Sequence, residues 1–356
     1  MRSIRWTVAA MALVFLTASA RPADALVGHS PLLSTTALTV EDVLCLFGYC
    51  DSKPSHGGGC DDWGCGMNSP IVDGAAIEEA PARSAAASDG SFHDLHMSGS
   101  RNAAGFKVIG VRKSGTALTV AATRSAIVAW PQAGGTAPLE GAALVDIVFD
   151  LRSATDRVYA LRIAATNTTR FWAGPLGLVR TYTLTYTAAG SSTPRPLCTA
   201  GINEAILFAG DRYDSARKTV IGSGAATSGW LNIACAGTSL AKLYLTRHTE
   251  ASQIVPTTEP ERQAMLKMFS ADVCGDGSSF TTHGHPLLWA DGKGITSFAS
   301  TPATIEGIWT DQGAVCLDHP RHPELAGAIA ARCARPSCAG TTSPGTRGYV
   351  VSANPR

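Results

Sequence analysis

Arg180-Thr181-Tyr182-Thr183-Leu184-Thr185-Tyr186 places bulky apolar side chains and threonines in alternation from Tyr182 onward. A period of two is that of a strand, with Tyr182, Leu184 and Tyr186 on one face and Thr183, Thr185 and Thr187 on the other. Five runs upstream have the same β-branched and aromatic character: FKVIGV (106–111), ALTVAA (117–122), AIVAW (126–130), LVDIVFDL (144–151) and RVYALRI (157–163). Breaks such as Lys113-Ser114-Gly115 and Ala188-Ala189-Gly190 supply turn chemistry between runs. The expected fold is therefore mainly β with a few short helices. A β-sandwich or partly open barrel occupies 91–193, and a small α+β unit follows over 194–340.

The Ser/Pro-rich residues 191–196 mark the expected boundary. Beyond it, 205–209, 230–234, 240–246, 286–290 and 304–309 read as strands. A helix is expected over 260–269, with Thr258 as N-cap, Pro260 in the first turn and Glu261 closing a capping box. Leu266 and Phe269, three apart, face the core with Met265 beside them. A second short helix is expected over 324–332. Residues 341–356, rich in Gly, Ser, Thr and Pro, read as a disordered tail.

At the start of the chain, Arg2 and Arg5 precede a short apolar run over 6–16. Ala18-Ser19-Ala20 and Ala23-Asp24-Ala25 then offer small-x-small cleavage sites. This is the pattern of a signal peptide, expected over 1–25, and no cysteine follows at once to take a lipid. No later run is long enough for a membrane span. Net charge is +1 with 16% charged residues and no basic block, which argues against nucleic acid as a partner. The expected location is secreted or periplasmic.

All ten cysteines lie beyond residue 25: Cys45, Cys50, Cys60, Cys65, Cys198, Cys235, Cys274, Cys316, Cys333 and Cys338. In an oxidising compartment an even number implies disulfides, whose connectivity spacing alone leaves open. The two N-terminal C-x4-C pairs, within a Cys-rich segment and linker over 26–90, also have a loose likeness to a zinc knuckle, but export favours a stapled loop. Cys333-x4-Cys338 is expected to close a local loop.

Chemistry is densest in FSADVCGDGSSFTTHGHPLL (269–288). Gly275 and Gly277 bracket Asp276 in a turn that calls for positive φ. If the following segment is extended, His283 and His285 point to one side. Together with Asp276, and with His319 or His322, they form a candidate site for zinc or another divalent metal. A second candidate is nucleophilic: Cys274 with a His283 or His285 base and Asp272 as orienter. The structural alternative has Asp276 accept a backbone N–H in an Asx turn beside a cystine.

Ser270-Ala271-Asp272-Val273-Cys274-Gly275-Asp276-Gly277, with Thr281 and Gly284, resembles the ADYC-domain family of exported bacterial proteins. Its name motif is Ala-Asp-Tyr-Cys, and Val273 stands at the tyrosine position. Leu197-Cys198, Ala234-Cys235 and Ile308-Trp309…Gly313-Ala314…Cys316 also fit its pattern. The family motif residues are thus Ala271, Asp272, Cys274, Gly275, Asp276 and Gly277. The resemblance implies cysteines where this chain has Leu243 and Met265. Their joint replacement by apolar residues points to a disulfide lost as a pair, and so to a structural role for the domain's cysteines. It implies an architecture and a compartment, not a reaction.

No G-x-S-x-G, H-E-x-x-H, phosphate loop or dinucleotide fingerprint is present. The expected function is that of an exported, non-enzymatic cell-envelope or extracellular binding or structural protein without a cofactor. Its partner would be an unknown ligand, an envelope polymer or another protein. The alternative is a metal-dependent hydrolase built on His283 and His285.

Overall fold

The computed structural model describes residues 92–354, except 125, 135–136, 176, 199–201, 282–284, 299–303, 342, 344 and 346–347. Of residues 67–68, 71–72, 75–76 and 285–286 it describes the backbone. The signal peptide, Cys45, Cys50, Cys60, Cys65 and His283 lie outside the described residues.

Strands β1 (Asp94–His96), β2 (Lys107–Lys113), β3 (Thr116–Ala122), β4 (Ile127–Pro131), β5 (Val148–Arg152), β6 (Val158–Arg170) and β7 (Leu178–Ala188) follow the alternating runs. The longest ladder joins β6 and β7 antiparallel, with Tyr182 opposite Thr166 and Leu184 opposite Ile163 across a register shift. Tyr182 and Leu184 are buried, and Tyr186 packs against the same core. The alternation thus sets which face of the sheet is dry.

The sheet does not stop at the expected boundary. Arg195–Pro196 pairs with β7, and β8 (Ala205–Phe208) and β11 (Trp230–Cys235) continue the sheet beyond it. The order is β1-β11-β8-β7-β6-β5-β2-β3-β4. Strands from both sides of residue 193 therefore share one sheet. The sheets are not closed into a barrel. β3 pairs with β2 at only two positions, then leaves with β4 as a hairpin. Its far end returns to β8, where the Ala209 N–H donates to the Thr123 carbonyl at 2.8 Å. A small hairpin, β9 (Arg212–Asp214) with β10 (Thr219–Gly222), lies between β8 and β11 in the chain.

Three α-helices occur among the described residues: α1 (Ser239–Leu245), α2 (Glu259–Ser270) and α3 (Ala326–Arg332). The expectation of a strand over 240–246 is corrected by α1. Thr238 accepts the Ala241 N–H as N-cap, and Leu240, Leu243 and Tyr244 are all buried at helical spacing. α2 has the expected capping box of Thr258 and Glu261, with Met265, Leu266 and Phe269 buried. α1 packs on α2, so Leu243 and Met265, both fully buried, sit on helices in mutual contact. None of these helices is long and apolar enough to cross a membrane.

α2 packs against a second sheet, ordered β12 (Leu288–Asp291), β15 (Val350–Asn354), β13 (Thr304–Thr310) and β14 (Gly313–Leu317). This corrects the disordered tail, because β15 is an interior strand bonded on both edges. Val350, Val351 and Ala353 are buried, and Ser352 is fully buried as the hydrogen-bond partner of Trp309. Removing residues 348–356 strips β12 of its strand partner, so the truncated protein is expected to lose the cooperative thermal transition followed by near-UV circular dichroism.

Candidate functional site

The family motif is the C-terminal corner of α2. Ala271 takes the left-handed conformation that ends the helix (φ 48°). The turn then aims the Asp272 carboxylate back at Lys267, and their buried side chains meet at 2.5 Å. Lys267 Nζ also donates to the Arg217 carbonyl at 2.8 Å, and Asp272 Oδ2 accepts the Gly277 N–H at 2.9 Å. Lys218 Nζ donates to the Gly277 carbonyl. At Gly275 (φ 77°) a Cβ would lie 2.1 Å from the Gln312 carbonyl oxygen, and at Gly277 (φ 90°) 2.3 Å from that of Ala216. Only glycine fits both the φ and the space.

Asp276 makes the Asx turn, accepting the Ser278 N–H at 2.9 Å, and also holds Arg332 at 2.6 Å. Burial pushes its carboxyl up, but the Ser278 and Arg332 bonds outweigh this and keep it below the usual 3.8. Cys274 is bonded to Cys333, and Cys316 to Cys338. The expected local loop between Cys333 and Cys338 is thereby corrected: each fixes a different point of the 323–338 segment to the domain. Cys198–Cys235 is the third bridge among the described residues. With Cys274 oxidised and Asp272 paired to Lys267, the nucleophile–base–orienter arrangement is not assembled.

His285 pairs through its backbone with Asn68 in a two-residue ladder, and its side chain lies outside the described residues. His322 Nδ1 lies 2.9 Å from Glu324, and the His319 carbonyl accepts Asn354. Among the described residues no three His, Cys, Asp or Glu side chains converge as metal ligands.

A cavity of about 330 Å³ opens on the opposite end of α2, lined by His248, Thr257, Glu261, Met265, Asp291 and Tyr349, among others. Arg247, in the left-handed region (φ 67°), turns the chain after α1 and places His248 in the interior, 2% exposed. His248 Nδ1 lies 2.7 Å from the Thr246 carbonyl, which assigns the proton there and leaves Nε2 as the acceptor in the neutral ring. Nε2 is 3.6 Å from Asp291 Oδ2 and has no hydrogen-bond partner. Asp291 Oδ1 accepts the Lys293 and Ile295 N–H groups, and its Oδ2 accepts the Thr296 hydroxyl. Lys293 Nζ reaches Glu261 at 3.3 Å. Sequence reasoning missed this constellation. His248 is a lone histidine after a misread helix, and Asp291-Gly292 looks like ordinary turn chemistry.

Burial holds the His248 imidazole below its ordinary 6.5, with Asp291 opposing. The unfolded chain therefore takes up the proton first as pH falls. Stability from this group is intact above 6.5 and is lost as pH falls from there toward the folded value. Melting temperature is expected to drop through that window, and His248→Gln to flatten the drop. At the motif corner, Asp272→Ala leaves Lys267 charged and buried, and urea denaturation is expected to show a loss of about 3–5 kcal/mol. Asp276→Ala removes a solvent-exposed pair with Arg332 and is expected to cost less than about 1 kcal/mol.

No curated protein and no solved structure matches the chain significantly. The sequence model of the ADYC domain matches residues 141–323. That span covers β5 to β14, so the family's domain begins well before residue 194 and includes the longest ladder of the large sheet. It takes in both the motif corner and His248. Covering just over half of the 356 residues and centred on these elements, the match shows that this chain belongs to the ADYC-domain family.

Proposed function

We propose that this is an exported, secreted or periplasmic binding protein of the cell envelope or extracellular space, with the cavity at His248 as its ligand site. The observation that carries the reading is that cavity, whose volume of about 330 Å³ falls in the range of small-ligand pockets. His248 is among its lining residues, and the buried Nε2 of that ring has no hydrogen-bond partner. Such a nitrogen favours a ligand that donates a hydrogen bond, because an unpaired buried acceptor is costly and a matching donor relieves that cost. Hydroxyl-rich fragments of envelope polymers have this chemistry. Three disulfides among the described residues accord with an oxidising compartment, where they persist.

The alternative of a metal-dependent hydrolase at His283 and His285 gains nothing from Asp276, whose carboxylate is already held by Arg332 and Ser278. Envelope glycan fragments, titrated into the purified protein and followed by calorimetry, are expected to bind saturably without turnover, and His248→Gln to weaken binding about ten-fold or more. Hydrolysis of an ester, peptide or glycan panel that stops on chelation would overturn the binding reading in favour of the hydrolase.

A further inference from the structure

The three disulfides among the described residues differ in access. Cys198, Cys235, Cys316 and Cys338 are each at most 2% exposed. Cys274 and Cys333 are both partly exposed, at the surface of the motif corner. Thiol–disulfide exchange requires an in-line approach of a thiolate to sulfur, so access selects among otherwise similar cystines.

Charge selects the same bond. Arg332 precedes Cys333 in the chain and is anchored on Asp276. Arg335 Nη2 donates to the carbonyl of Val273, the residue before Cys274, at 3.0 Å. Two guanidinium groups are thus held at the stretch that carries Cys274, Arg335 on the residue before it and Arg332 on Asp276 two residues after it. They attract an anionic thiolate and stabilise the thiolate that leaves.

What the bond holds is equally specific. α3 buries only Ile329. The segment around it is fixed at one end by Arg321 on Glu306 and at the other by Cys316–Cys338. Between those anchors it is pinned by Cys274–Cys333, the Arg332–Asp276 pair and Arg335. Opening the central cystine removes the one covalent pin between two ends that stay in place.

We propose that Cys274–Cys333 is a thiol-exchange site, opened in the folded protein by a soluble low-molecular-weight thiol. A thiolate RS⁻ attacks Sγ of Cys333. The new RS–Sγ bond forms as the Sγ–Sγ bond breaks, and Cys274 leaves as a thiolate beside Arg335. A second RS⁻ attacks the mixed disulfide, releasing the Cys333 thiolate and carrying away RSSR. Two thiols are oxidised and one cystine is reduced. The product is a native core with a loosened α3.

The test uses the folded, exported protein with reduced glutathione as the thiol, quenched by alkylation at intervals and mapped by peptide mass spectrometry. Cys274 and Cys333 are expected to be modified at least about ten-fold faster than the four buried cysteines, with a glutathione adduct trapped on Cys333. Far-UV circular dichroism stays unchanged while this happens. Arg335→Gln is expected to slow the exchange at least about three-fold while the cystine stays formed in the untreated protein. Modification of all three pairs together, modification only on unfolding, or an Arg335→Gln rate equal to the wild type would overturn the proposal.

Discussion

The Arg321–Glu306 pair joins the chain after β14 to the second sheet and to the end of α2. Glu306 lies in β13, fully buried, and its carboxylate takes Arg321 in two bonds of 2.6 and 2.7 Å. The same guanidinium donates to the Met268 carbonyl in the last turn of α2 at 2.8 Å, beside the Ala271 N–H that this carbonyl also accepts. Ser352 in β15 donates its hydroxyl to the other face of the carboxylate at 2.6 Å. Burial pushes the Glu306 carboxyl up, but Arg321 and Ser352 outweigh it and hold it below 4.5. A buried pair of this kind adds little net energy over an apolar substitute, yet losing one partner strands a charge. Its effect is to couple helix end, sheet and tail, so that each is positioned by the others.

The same logic recurs one turn further on. Lys267, Asp272 and Lys218 bring charge into a dry corner where Gly275 and Gly277 remove all spare volume. Lys267 and Lys218 donate to carbonyls there, and Asp272 Oδ2 meets the opposite charge and an amide. A catalytic group needs a face open to substrate, and Asp272 has none, since it is fully buried against Lys267 and the Gly277 amide. The motif that identifies the family is therefore the joint of the domain. His248, whose Nε2 has no hydrogen-bond partner, stands at the other end of α2.

Much of the large sheet was legible because it is half-dry: alternation in 106–186 records which side chains face the core. The capping box of α2 was legible for a local reason as well, since Thr258 and Glu261 satisfy each other within one turn. What failed depends on distance in sequence. Residues 240–246 look like a strand because Leu240, Tyr244 and Thr246 suit one, and only the Thr238 cap and contact with α2 decide for helix. The tail's small residues resemble a linker until two strands flank them. Cysteine pairing follows from which points of the 323–338 segment meet the corner, and no spacing encodes that. The Ser/Pro break at 191–196 interrupts the chain without interrupting the sheet.

His248 shows why the candidate site was the least legible part. Its chemistry comes from three separate segments: the Thr246 carbonyl that fixes its tautomer, Asp291 in β12, and the wall of α2 and Tyr349. None of these residue types is unusual where it stands. Asp291 accepts from Lys293, Ile295 and Thr296 and, as a carboxylate, has no proton to donate to the ring, so Nε2 has no hydrogen-bond partner. A rigid corner and an under-satisfied cavity on one helix divide the work between them. The corner fixes α2, and α2 carries Glu261 and Met265 to the cavity wall, so the geometry around His248 is set by charges buried at the far end of that helix.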